Sequence, residues 1–344
     1  MRNYLWASLI ACLLITTACA RADRLATPTL PPSNYPTTQS SYNPFGIVIN
    51  LNSPQKIALV KDLRVTYFRP SDAIIIDKWD GKCAQCDAAQ QIDLKLILTV
   101  RANGGGVQNP TTPPKDIVSY QKTLGEVLDK YPPQVLVVEN EENSSVFYTG
   151  TPIEYAVELQ AACEVAHRKG IPCANGGLVS GEVALLVWQN YFSRGQTAQV
   201  CDFAQRSFDA NEAQHICALI SLDQIPAREK DLIAKGKALL DVYKTSSIDW
   251  MNFHWYIADP LALEESAAFL KTATNKSLMS NEIGQQDDRP TTVTGLLVKS
   301  LDLQLPYMLW FSIDSAQSKA LNNPDATLRS TGDAFRSFIK ARFK

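Results

Sequence analysis

Histidine is scarce in this chain. There are three in 344 residues, His167, His215 and His254, with no metal-ligand spacing among them. That weighs against a histidine-rich metal centre, and neither a metal nor an organic cofactor is expected. Charge of one sign is missing too. With 33 basic against 35 acidic residues the net charge is -2, and no basic cluster interrupts the balance. Nucleic acid is therefore not an expected partner. No glycines follow Asn50 at the exit of the first apolar run, and Asn103-Gly104-Gly105-Gly106 lacks the Lys-Ser/Thr pair of a phosphate loop. The composition, 45% hydrophobic and 20% charged, excludes a disordered, collagenous or multi-span membrane chain.

The amino terminus stands apart. MRNYLWASLIACLLITTACARAD begins with Arg2, runs apolar from Tyr4 to Ile15 and reaches small residues at Ala18-Cys19-Ala20. This is the layout of a secretory signal over residues 1–20, short for a membrane span. Two processing outcomes stay open. Thr17-Ala18-Cys19 resembles a lipobox, which would leave Cys19 lipidated and anchored to a membrane; Ala18-Cys19-Ala20 also suits ordinary cleavage. The chain is expected to be exported, whether periplasmic, membrane-anchored or secreted. Residues 21–44 are rich in Pro, Ser and Thr and read as an extended tether. The remainder, 45–344, reads as a single domain. Its six cysteines suit disulfides in an exported chain, and sequence neighbours are the expected pairs: Cys83 with Cys86, Cys163 with Cys173, Cys201 with Cys217.

Strand-like apolar runs alternate with helix-like stretches from residue 45 onward. The runs are FGIVIN (45–50), LRVTYFR (63–69), LKLILTV (94–100), QVLVVEN (134–140), IPCANGGLV (171–179), IDWMNFHWY (248–256), SLMSNE (277–282) and PYMLWFSI (306–313). Several are apolar at consecutive positions, as strands buried on both faces are in parallel sheets. Helical stripes are expected at 114–131, 152–169, 226–244, 261–274, 291–303 and 328–343, with Gly170 as a stop signal for the second. The connection at 71–92 is the least helical. Eight strands with crossovers predict a (β/α)8 barrel, the TIM-barrel form of α/β architecture. A doubly wound sheet is the competitor, but it uses fewer strands and a glycine-rich first turn.

Active sites of such barrels lie at the carboxyl ends of the strands. The second run ends in Arg69, the fourth in Asn140-Glu141, the sixth in His254 and Tyr256, and the seventh in Asn281-Glu282; the eighth carries Trp310. Two carboxylates facing each other across a cleft suit glycoside hydrolysis, one as proton donor and one as nucleophile. A nearby Arg would keep the nucleophile ionised, and burial would keep the acid protonated.

In this order and placement, Asn140-Glu141, His254-x-Tyr256, Glu282 and Trp310 resemble the clan A glycoside hydrolases, retaining (β/α)8 enzymes that include cellulases, xylanases, mannanases and β-xylosidases. The resemblance covers roughly residues 45–344. It implies Glu141 as acid/base, Glu282 as nucleophile and Asn140 as a contact to a sugar hydroxyl. Arg69 and Tyr256 would hold Glu282, and Trp310 would floor the subsite of the cleaved sugar. The implied partner is an oligo- or polysaccharide. Glu142 stands where such enzymes often have Pro, and alternation puts Glu139 on the face of Glu141, so three neighbouring carboxylates compete for the acid role. Trp79, Phe147, Tyr148 and Trp255 suit outer subsites and core packing alike. A non-catalytic carbohydrate-binding barrel is the rival reading, and a lyase or metal hydrolase a more distant one.

Overall fold

The computed structural model describes residues 42–106, 108–315 and 318–343. The signal region, Cys19 and most of the tether lie outside them. The strands are β1 (Phe45–Ile49), β2 (Tyr67–Pro70), β3 (Ile74–Ile75), β4 (Lys95–Arg101), β5 (Val135–Val138), β6 (Cys173–Asn175), β7 (Trp250–Trp255), β8 (Ser277–Ile283) and β9 (Met308–Phe311). All pairings are parallel. Pairing of β2 with β4 and of β1 with β9 closes a barrel of eight strands, while β3 only extends the end of β4. The (β/α)8 expectation is met.

The pleat divides each strand between two cores. Val48, Tyr67, Ile97, Val135, Val137, Ala174, Met279 and Leu309 fill the barrel. Their neighbours Ile47, Phe68, Leu98, Leu136, Val138 and Trp310 face the surrounding helices. Burial on both sides is why the runs read as continuously apolar. Tyr67, Tyr307 and Trp250 pack edge to face at centroid distances of 5.0 and 5.7 Å, filling the barrel end opposite the strands' carboxyl ends.

The helices are α1 (Pro54–Leu63), α2 (Ala84–Gln90), α3 (Ile117–Lys130), α4 (Pro152–Arg168), α5 (Ser180–Ser193), α6 (Thr197–Ser207), α7 (Ala210–Ala218), α8 (Ala227–Thr245), α9 (Pro260–Thr274), α10 (Pro290–Asp302) and α11 (Ser330–Arg342). Their starts are written in the sequence. Ser53, Thr151 and Asp259 each cap a helix whose first residue is Pro, and Thr151 forms a reciprocal capping box with Glu154. The second connection holds β3, a single 3-10 turn (Ile76–Lys78) and the short α2, as its weak helical signal implied. Between β6 and β7 the chain inserts α5 to α8. Among the described residues no helix is long and apolar enough to cross a membrane.

The three disulfides join the expected neighbours. Cys163–Cys173 ties α4 to β6, and Cys201–Cys217 ties α6 to α7.

Candidate active site

The carboxyl ends of the strands open into a cleft of about 1040 Å³. Arg69, Asn140, Glu141, Tyr256 and Glu282 all line it. Arg69 is the hub. Its guanidinium donates to Glu282 Oε2, to Asn140 Oδ1 at 2.7 Å and to Thr99 Oγ1 at 3.0 Å. Tyr256 donates its hydroxyl to the other oxygen of Glu282 at 2.8 Å.

His254 lies fully buried beneath the pair. Its Nδ1 faces Glu141 Oε1 at 2.8 Å and Glu282 Oε1 at 3.6 Å, and its Nε2 faces Asn281 Oδ1 at 3.0 Å. Asn281 is held in that orientation because Asn252 donates to the same oxygen at 2.8 Å and Asn281 Nδ2 reaches Thr99 at 3.3 Å. While Glu141 is ionised both ring nitrogens face acceptors and the imidazole is the doubly protonated cation; when Glu141 carries a proton, Nδ1 can accept from it instead. Burial pulls its pKa down, but the charge of Glu282 and the hydrogen bond and charge of Glu141 outweigh burial and raise it above the ordinary histidine value. Glu282 shows the complement. Burial pushes its carboxyl up, yet His254, Arg69 and the Tyr256 hydroxyl together hold it below the usual glutamate range.

Glu282 reaches the cleft through a β-bulge. Asn252 pairs with Met279 and His254 with Glu282, so two steps on β7 match three on β8; the same offset separates Ser280 and Ile283 along β9. Simple alternation from the inward Met279 would turn Asn281 in and Glu282 out. The extra residue brings both inward.

The competition among three carboxylates resolves by backbone shape. The strand ends at Val138, and Glu139 and Glu141 both adopt left-handed conformations, φ +69° and +50°, so alternation no longer applies. Glu139 turns away to accept Ala102 N at 2.7 Å, and Glu142 accepts from Tyr243 and from Asn175 at 3.0 Å. Both are fully buried. Of the three, Glu141 alone lines the cleft.

The structure does not bring Trp310 to the cleft. The ring is fully buried on the helix-facing side of β9, 5.7 Å from Phe335, and its Nε1 donates to Gln285 at 2.7 Å. The pleat places its neighbour Phe311 inward, where it lines the cleft and packs edge to face with Tyr256 at 6.0 Å. Of the four outer aromatics, Phe147 lines the cleft. Tyr148 and Trp255 are fully buried, and Trp79 packs on Tyr131. Sequence reasoning missed Arg101, one residue beyond the run read as the third strand, and Glu182, in the first turn of α5; both line the cleft. Burial raises the Glu182 carboxyl to about 7, against a hydrogen bond from Asn143 and the charge of Lys235.

Glu141, His254 and Glu282 offer donor atoms within 4.8 Å of one another, near enough to hold a metal ion. They do not fit one well. Arg69 and Tyr256 already occupy both oxygens of Glu282, and a protonated imidazole has no lone pair to give. What the arrangement can do is hold one carboxylate ionised and present a second beside it.

No protein-family model matches the sequence, and no curated protein matches it. Solved structures do. The chain is similar to a GH128 subgroup VI exo-β-1,3-glucanase from Aureobasidium namibiae, with a TM-score of 0.53 and 10% identity over 89% of this chain and 98% of that one. It is similar to a GH128 subgroup II endo-β-1,3-glucanase from Sorangium cellulosum, at 0.52 and 14% over 85% and 97%. A third is a GH128 subgroup I endo-β-1,3-glucanase from Amycolatopsis mediterranei in complex with laminarihexaose, at 0.50 and 10% over 86% and 99%. At these identities the likeness is one of fold, and the fold is the (β/α)8 barrel.

Proposed function

We propose that the chain is a retaining glycoside hydrolase acting on a β-linked glycan, with β-1,3-glucan the first substrate to test. The observation that carries this reading is the placement of Glu141 and Glu282, each offering one oxygen within 4.8 Å of the other's. Retaining enzymes hold their carboxyl pair about 5–5.5 Å apart, and inverting ones roughly 6.5–9.5 Å, to admit a water. The three fold neighbours named above are β-1,3-glucanases, which supports the choice of polymer.

In the first half-reaction Glu282 attacks the anomeric carbon as the glycosidic C–O bond breaks and Glu141 gives its proton to the departing oxygen. In the second, Glu141 takes a proton from water, whose oxygen displaces Glu282. Arg69, Tyr256 and His254 keep Glu282 ionised between turnovers. Asn140, fixed by Arg69, lines the cleft where a sugar would bind. The signal-like segment at 1–20 and three disulfides support work outside the cytoplasm.

The test compares wild type, Glu141→Ala and Glu282→Ala on laminari-oligosaccharides and aryl β-glycosides, with and without azide. Loss of turnover in both variants, with azide giving retained anomers in the first and inverted ones in the second, is the expected result. Full activity in Glu141→Ala would overturn the acid/base role. No turnover by wild type on any substrate, together with saturable oligosaccharide binding, would establish a binding barrel instead.

A further inference from the structure

Two carboxyl groups that this reaction does not use lie behind the loop bearing Glu141. Glu139 and Glu158 are both fully buried. One oxygen of each has a donor: Glu139 Oε1 accepts Ala102 N at 2.7 Å, and Glu158 Oε2 accepts the Tyr148 hydroxyl at 3.0 Å. The other two, Glu139 Oε2 and Glu158 Oε1, have none. The two buried carboxyls lie close enough to act on each other. Two ionised carboxylates only accept, so that contact needs a proton, and one proton satisfies both remaining oxygens.

The charge count agrees. Among the described residues Arg101 is the cation paired with Glu139, its Nε 3.5 Å from Glu139 Oε2 but already donated to Thr111 Oγ1 at 2.7 Å. Facing the pair are Tyr120 from α3, Tyr155 from α4, and Tyr148 and Glu142 from the loop after β5. None of these adds positive charge. One proton and one guanidinium against two carboxyls leave no net buried charge, whereas an uncompensated one is costly. Burial likewise raises Glu139 to about 7 and Glu158 well above the glutamate value, the latter helped by the charge of Glu139.

Location gives the pair its role. Glu139 and Glu141 flank Asn140 in left-handed conformations that are strained for non-glycine residues. The Glu139 side chain anchors one end of that turn to Ala102, and Arg101 anchors the neighbouring wall by donating to Phe147 O at 2.6 Å. We propose that Glu139 and Glu158 share a single proton and act together as positioning residues for the Asn140-Glu141 turn. Loss of the proton sets two like charges in contact and loosens the turn. The inference rests on the role given to Glu141, but the proton and the turn can be observed without turnover.

The experiment uses Glu158→Gln, which keeps a neutral donor that cannot ionise, and Glu158→Leu, which removes the donor. Infrared difference spectra at pH 7, wild type minus Glu158→Gln, should show the carbonyl stretch of a protonated carboxyl. The turn is followed through the His254 imidazole resonance, since Nδ1 hydrogen-bonds Glu141. In wild type it should shift and broaden in alkaline solution, where Glu158, held well above the ordinary glutamate value by burial and the charge of Glu139, gives up the shared proton; in Glu158→Gln it should hold there. Where turnover is measurable, the alkaline limb of kcat/KM should move to higher pH in Glu158→Gln with KM unchanged. In Glu158→Leu, kcat should fall roughly ten- to a hundredfold. A difference spectrum without a protonated carboxyl would overturn the shared proton. A His254 resonance with the same pH course in wild type and Glu158→Gln would overturn the positioning role, whatever the activity.

Discussion

His254 Nδ1 sits 2.8 Å from Glu141 and 3.6 Å from Glu282, so one buried imidazolium serves both carboxylates. Replacing it with the uncharged His254→Asn removes a main influence holding the Glu282 pKa down. In the proposed reaction Glu282 attacks as a carboxylate and so works above its own pKa. Wild type should therefore stay active below the ordinary glutamate range, and the acidic limb of kcat/KM in the variant should move to higher pH. A limb that does not move would show that Arg69 suffices.

Arg69 pairs with Glu282 while holding Asn140 and Thr99. Arg69→Met leaves a buried carboxylate short of a partner, a loss of about 3–5 kcal/mol in such settings. The sign with pH follows from Glu282, whose pKa is depressed in the fold. Its contribution is present above the unfolded value and is lost as pH falls through the folded one. The gap in denaturant stability between wild type and variant should be widest near neutrality and narrow in acid. A gap independent of pH would place the Arg69 contribution elsewhere.

Trp310 and Phe311 are adjacent in sequence but belong to different cores. Trp310→Ala should cost about 3–5 kcal/mol of stability, while Trp310→Phe should leave KM as it was. Phe311→Ala should raise KM by roughly two- to tenfold, an aromatic contact worth ~0.5–1.5 kcal/mol. Thermal unfolding beside Michaelis kinetics separates the two, and an altered KM in Trp310→Phe would contradict the assignment of faces.

Gly177 has φ +100°, and a Cβ there would overlap the His254 ring. Gly177→Ala should depress kcat more than KM by displacing the imidazole. Gly81→Ala, also left-handed but facing open space, controls for backbone strain alone. Equal behaviour of the two variants would remove His254 from the explanation.

Much of the fold could be read beforehand because parallel strands buried on both faces leave unbroken apolar runs. All eight barrel strands fall within or beside the predicted ones. The same property hides which way each side chain points, which is why Trp310 was expected where Phe311 stands. Glu141 and Glu282 were singled out from their strand-end positions, and both line the cleft. The outward turn of Glu139 was not, since left-handed backbone at a glutamate has no local signal as a glycine would. Arg101 was missed by one residue because the run was closed at Val100. Glu182 was missed because it belongs to the insertion, whose fold over the cleft depends on tertiary packing.

The bulge in β8 lets one strand end present two consecutive side chains to the same site. Deleting the extra residue between Met279 and Glu282 would restore regular pairing and leave the carboxyl of residue 282 in phase with Met279, still facing inward. What the strand would give up is the amide of Asn281, which meets the far nitrogen of His254. The additional step thus adds a support for the imidazole to a carboxylate that an ordinary strand could have carried alone.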